Sequence, residues 1–77
     1  MTLSSLIYEI KSETPGEWDN KKEFFTSLDK ISDQVAMRPS LEAYAVDMIT
    51  DAVIASLGQP TTQWQQRIFN LLKNSRS

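Results

Sequence analysis

Residues 41–57 read LEAYAVDMITDAVIASL, and this stretch decides the fold. On a helix turning about 100° per residue, Leu41, Tyr44, Ala45, Val46, Met48, Ile49, Ala52, Val53, Ala55 and Leu57 span an arc of about 220° when angles are measured from Ile49. A surface helix of ordinary amphipathicity shows an apolar stripe of about 100°. The breadth of the arc predicts a helix buried on most sides, at the centre of the molecule. Ser40 stands where an N-cap belongs, and Gly58 is the residue best able to take the left-handed backbone of a C-cap. The remaining face carries Ala43, Asp47, Thr50 and Asp51, with Ile54 out of place among them. Asp47 and Asp51 stand at i, i+4, a repulsive pair costing about 0.2–0.5 kcal/mol unless a cation neutralises it.

Outward from this segment the spacing stays helical. Upstream, Pro39 disfavours helix at the residue before it, so the preceding helix must stop near Met37 or Arg38. That helix has Phe24, Leu28, Ile31 and Val35 on one stripe, with Phe25 and Trp18 on its flank. Thr14-Pro15-Gly16-Glu17 has the form of a capping box with proline at the first helical position, which predicts a start at residue 15. Further back, Leu3, Leu6, Ile7 and Ile10 follow i, i+3, i+4, i+7 and suggest a first helix, although LIYEI alternates well enough for a strand. Downstream of Gly58, Thr62 and Gln65 can form a second capping box. It opens a last helix whose stripe is Trp64, Ile68, Leu71 and Leu72, with Phe69 near its edge, and residues 73–77 are expected to fray. The expectation is an all-α fold: one domain spanning residues 1–77, a compact bundle of four short helices near 3–12, 15–37, 41–57 and 62–73, joined by short connections, with the third helix central.

Composition removes several kinds of chemistry. The 77 residues include no cysteine and no histidine, so disulfides, thiolate metal sites and the commonest general bases and nucleophiles are missing. Two glycines 42 positions apart, Gly16 and Gly58, cannot form a glycine-rich phosphate loop. Carboxylates remain: the pairs Asp29/Asp33 and Asp47/Asp51, and the run Glu9, Glu13, Glu17. None has the alternating ligands and central glycine of a calcium loop, so they read as solvated acids. No enzyme, cofactor, metal site or small-molecule substrate is expected. The N-terminus lacks the pattern of a signal peptide, and no run of 18 apolar residues occurs, which points to a soluble cytoplasmic protein that does not enter a membrane. A chain this short buries only about 60% of the surface of its unfolded form, so self-association is an obvious source of stability.

The net charge of −2 conceals an asymmetry: residues 1–51 carry five basic and ten acidic side chains, whereas residues 52–77 carry Arg67, Lys73 and Arg76 and no acid. Leu57-Gly58 at a turn, followed by Thr61, Thr62, Gln63, Gln65 and Gln66 opening a helix, resembles the helix-turn-helix family. That resemblance implies a DNA-binding regulator reading bases from residues 62–73. The chain departs from the family pattern at Ile54, where a small alanine is usual, at Gln59, where an apolar residue is usual, and at Arg67, in the slot that anchors the recognition helix.

Apolar residues off the core stripes point elsewhere. Trp18, Ile54 and Phe69 each sit at or beyond the edge of their helix's apolar face, and Ile54 is flanked by Asp47 and Asp51. The leading expectation is therefore a small non-catalytic interaction module, an adaptor, regulator or inhibitor. It would dock a helical face carrying Ile54, Asp47, Asp51, Trp18, Phe69 and Arg67 onto a protein partner or onto a second copy of itself. The DNA-binding regulator is the alternative.

Overall fold

The computed structural model describes residues 2–76 and contains four α-helices: α1 (Leu3–Glu13), α2 (Lys21–Met37), α3 (Ala45–Leu57) and α4 (Gln63–Arg76). A 3-10 segment, Pro39–Tyr44, joins α2 to α3. The first segment, compatible with helix or strand by spacing, is helical. Thr2 caps it, its hydroxyl accepting a hydrogen bond from the Ser5 amide at 3.1 Å.

At its other end α1 closes on Thr14, which departs from expectation. Thr14 is buried, its amide donates to the Lys11 carbonyl at 3.2 Å and its hydroxyl donates to the Ile10 carbonyl at 2.8 Å. The threonine thus ends one helix and does not start the next. Residues 14–20 fold as a connection held by Trp18 N–H to the Pro15 carbonyl and Lys21 N–H to the Trp18 carbonyl, and α2 begins only at Lys21. A helix from residue 15 would carry Gly16 in its first turn and lose the turn that swings Trp18 onto the core; the Asp19-Asn20 pair suits that turn.

α2 stops where Pro39 requires it to, with Arg38 at φ −133° and ψ 84°. The third helix also departs from the reading at its start. Proline leads into 3-10 geometry over residues 39–44, Ser40 forms no capping bond, and regular α-helix begins at Ala45. A 3-10 turn holds about three residues, so the 100° wheel does not apply to Leu41 or Tyr44. Leu41 is half-buried and Tyr44 is exposed. The sealed positions of α3 are Ala45, Ile49 and Val53, a single i, i+4, i+8 line, with Val46, Met48, Ala52 and Leu57 half-buried beside it. The broad predicted arc is therefore a sealed stripe with half-buried flanks and an open back.

The second capping box is present. Gln65 N–H reaches the Thr62 hydroxyl at 3.4 Å, and the Gln65 side-chain oxygen accepts from the amides of Thr62 at 3.3 Å and Thr61 at 2.8 Å. Gln65 is buried because that oxygen is occupied. α4 continues to Arg76 where fraying was expected, and the Ser75 hydroxyl turns back onto the Leu71 carbonyl at 2.9 Å. Ser77 lies outside the described residues.

The helices pack in a ring, α1 on α2, α2 on α3, α3 on α4 and α4 on α1, so α3 lies between α2 and α4 with the 3-10 segment against both α2 and α3. One core runs through them: Leu6, Ile7 and Ile10 from α1, Phe24, Leu28 and Ile31 from α2, Ile49 and Val53 from α3, Ile68 and Leu72 from α4. Burial is shared among all four helices. Such a ring matches the chain's size, since no helix of so short a chain has enough neighbours to be enclosed on every side.

Gly58 takes φ 67° as its position predicted, but with ψ −138°, close to the region that only glycine populates freely. No atom lies within 4 Å of where a Cβ would stand. Gly58→Ala is therefore expected to cost about 1–3 kcal/mol through backbone strain alone. Thermal unfolding followed by circular dichroism checks this; an unchanged midpoint would mean the turn relaxes without strain.

Candidate interaction surface

The outward line of α3 is the first element of the surface. Asp47 and Ile54 are seven residues apart, so they project within about 20° of each other, and Asp51 lies between them along the helix. Ile54 is 51% exposed, and both aspartates are exposed. The adjacent Val53 is completely enclosed. One residue of rotation separates core from solvent here.

The other residues singled out by sequence fall elsewhere. Trp18 is half-buried, its ring edge-on to Phe24 at 5.8 Å and to Trp64 at 5.2 Å, so it seals the rim of the core between the α1–α2 connection and α4. Phe69 is half-buried against the same core and lines a shallow depression with Thr50, Gln66 and Lys73. Arg67 is exposed and reaches Glu13 at 3.7 Å, tying α4 to the end of α1. The aromatic pair thus joins the core edge, Arg67 joins the α1–α4 contact, and the α3 line stands apart from both.

The DNA reading would use the polar face of α4. Gln63, Gln66, Arg67, Asn70 and Lys73 are exposed along it, with Arg67 engaged by Glu13. On the opposite pair of helices, Lys11 bonds Asp29 at 2.7 Å and stands 5.3 Å from the centre of the Phe25 ring. Asp29, one of the acids read as solvated, therefore serves as a clasp between α1 and α2.

Three further large apolar side chains are exposed: Tyr8 at 73%, Met37 at 83% and Tyr44, which spacing put inside the apolar arc of residues 41–57, at 61%. Tyr8 falls outside the i, i+3, i+4, i+7 set of α1, and Met37 precedes the Arg38-Pro39 break, so both carried a signal. Tyr44 carried none, because its exposure follows from the 3-10 geometry.

A groove of about 590 Å³ opens between α1, the junction of the 3-10 segment with α3, and the end of α4. Its apolar lining is Leu3, Leu6, Ala45, Val46 and Leu71, and its acids are Glu9 and Glu42. Glu9 is half-buried, and its Oε2 is enclosed without a hydrogen-bond partner. A neighbouring depression, sharing Val46 with the groove, is lined by Asp47 and Ala43 and so adjoins the α3 line. Spacing placed Glu9 in a run with Glu13 and Glu17, and its burial depends on the approach of α4.

Among the described residues no group of three or more acids comes together as a metal site would need, and no helix is long and apolar enough to cross a membrane. No family model matches the sequence, and neither a curated protein nor a solved structure matches it significantly.

Proposed function

We propose that this all-α domain is a non-catalytic interaction module that docks the outer line of α3 onto a protein partner, a second copy of the chain included. The observation that carries the reading is Ile54, half exposed on a regular helix on the same outward line as the exposed Asp47 and Asp51. Covering the exposed half of Ile54 gains about 0.8–1.5 kcal/mol, half of what a fully exposed aliphatic side chain would give. The acids around it form a polar rim that selects a partner by charge. Tyr44, just before α3, is a second exposed apolar side chain, at 61% exposure. In a homodimer, the basic α4 of one copy, carrying Lys73, would face the exposed Asp51 of the other.

The test is Ile54→Asp. Since Ile54 is half exposed and outside the sealed core, the variant is expected to keep its helical circular dichroism and to lose about 1 kcal/mol of stability. Its molecular mass by sedimentation, or its retention of a binding partner, should change. A variant that unfolds would place Ile54 in the core, and one that keeps both mass and partner would remove the α3 line as an interface.

A further inference from the structure

We propose that the groove between α1, the start of α3 and the end of α4 receives a lysine or arginine side chain of the protein partner, flanked in the partner's sequence by apolar residues. This rests on the reading of the chain as an interaction module, but it uses a surface other than Ile54.

A basic side chain has an apolar stem and a charged head, and it binds where a hydrocarbon wall ends in acceptors. The groove has this order. Leu3, Val46 and Leu71 are half-buried along it and leave apolar surface open to a guest, while Glu9 and Glu42 supply carboxylates. No lysine or arginine is among its described lining residues.

Glu9 makes the choice of guest specific. Its Oε2 is enclosed without a hydrogen-bond donor. That oxygen has no open surface in the free chain, so a guest meets it only when the Glu9 side chain turns outward into the groove; the turn ends the desolvation penalty of an acceptor without a donor, and a cationic N–H favours it more strongly than a neutral one. A neutral guest leaves the charge unmatched, and an anionic guest meets Glu42 as well. The groove's volume of about 590 Å³ falls in the range of pockets that hold a compact ligand.

The probe is the blocked tripeptide acetyl-Leu-Arg-Leu-amide, titrated into the full chain and followed by amide chemical shifts, with acetyl-Leu-Gln-Leu-amide as the neutral comparison. The arginine peptide should move the amides of Leu3, Leu6, Glu9, Val46 and Leu71, and the glutamine peptide should bind about tenfold more weakly. Glu9→Gln should abolish the difference between the two peptides. Glu42→Gln, at an exposed position that leaves folding intact, should weaken the arginine peptide about threefold. Equal response to both peptides, no response to either, or shifts confined to other surfaces would overturn the proposal. Ile54→Asp should bind the arginine peptide as the parent does, so failure of the α3 interface and failure of the groove are read separately.

Discussion

Phe24→Ala is expected to cost about 3–5 kcal/mol, most of the stability a domain of this size holds. The ring is fully enclosed on the inner face of α2, edge-on to Trp18 at 5.8 Å and tilted against Phe25 at 6.1 Å. Removing it leaves a cavity at the point where α2, the α1–α2 connection and, through Trp18, α4 meet. Neither neighbouring ring can fill that space without giving up its own packing. At about 4–8 °C per kcal/mol for a chain of this length, the unfolding midpoint should fall by at least about 12 °C. The near-ultraviolet circular dichroism of Trp18 and Trp64 should collapse with it, because their mutual contact is oriented from one side by Phe24. Phe25→Ala makes the comparison: that ring is half-buried, with the ammonium groups of Lys11 and Lys21 5.3 and 5.7 Å from its centre, so its loss should cost distinctly less. Equal midpoints for the two variants would show that Phe24 is not the keystone of the aromatic cluster.

The second large effect contrasts two adjacent positions. Val53→Asp should prevent folding under conditions where Ile54→Asp remains helical. Val53 has no exposed surface and lies in the core with Leu28, Ile49 and Ile68, where a carboxylate finds neither water nor a described cation. Burying an unpaired charge costs several kcal/mol after relaxation, and the loss of the valine's own packing adds to it. At Ile54 the same carboxylate points to solvent and meets only the weak repulsion of Asp51 on its own helix face. Far-ultraviolet circular dichroism of both variants, recorded side by side, checks this. A folded Val53→Asp variant would mean that α3 can rotate on its neighbours by one residue, and the division of α3 into a sealed and an open side would no longer hold.

Much of this architecture was legible in the chain. The i, i+3, i+4 spacing marks the sealed residues of all four helices: Leu6 and Ile10, Phe24 and Leu28, Ile49 and Val53, Ile68 and Leu72. Local stop signals were equally clear, since Pro39 acts through its own ring and the Thr62–Gln65 box through bonds spanning three residues. The errors came where two local signals competed. Thr14 could open a helix or close one, and its hydroxyl went to the Ile10 carbonyl because closing there let residues 14–20 carry Trp18 onto Phe24 and Trp64. The candidate surface was legible in part: Ile54 stood out as an apolar residue on an acidic strip, whereas Trp18 and Phe69, flagged on the same grounds, pack at the core edge.

Sequence by itself determined that the chain is helical, where its helices end at proline and glycine, and which side of each helix is apolar, because these depend on contacts within a few residues. Only the tertiary structure decided how much of each apolar side is sealed. The arc of α3 admitted a fully enclosed helix, but each helix of the ring packs on two others, and so Ala55 stays open while Val46, Met48, Ala52 and Leu57 are only half-covered. The same ring brings Glu9 of α1, Glu42 ahead of α3 and Leu71 of α4 into one groove. Those residues lie 33 and 29 positions apart in the chain, beyond the reach of any local periodicity, and their meeting follows from the closure of α4 onto α1.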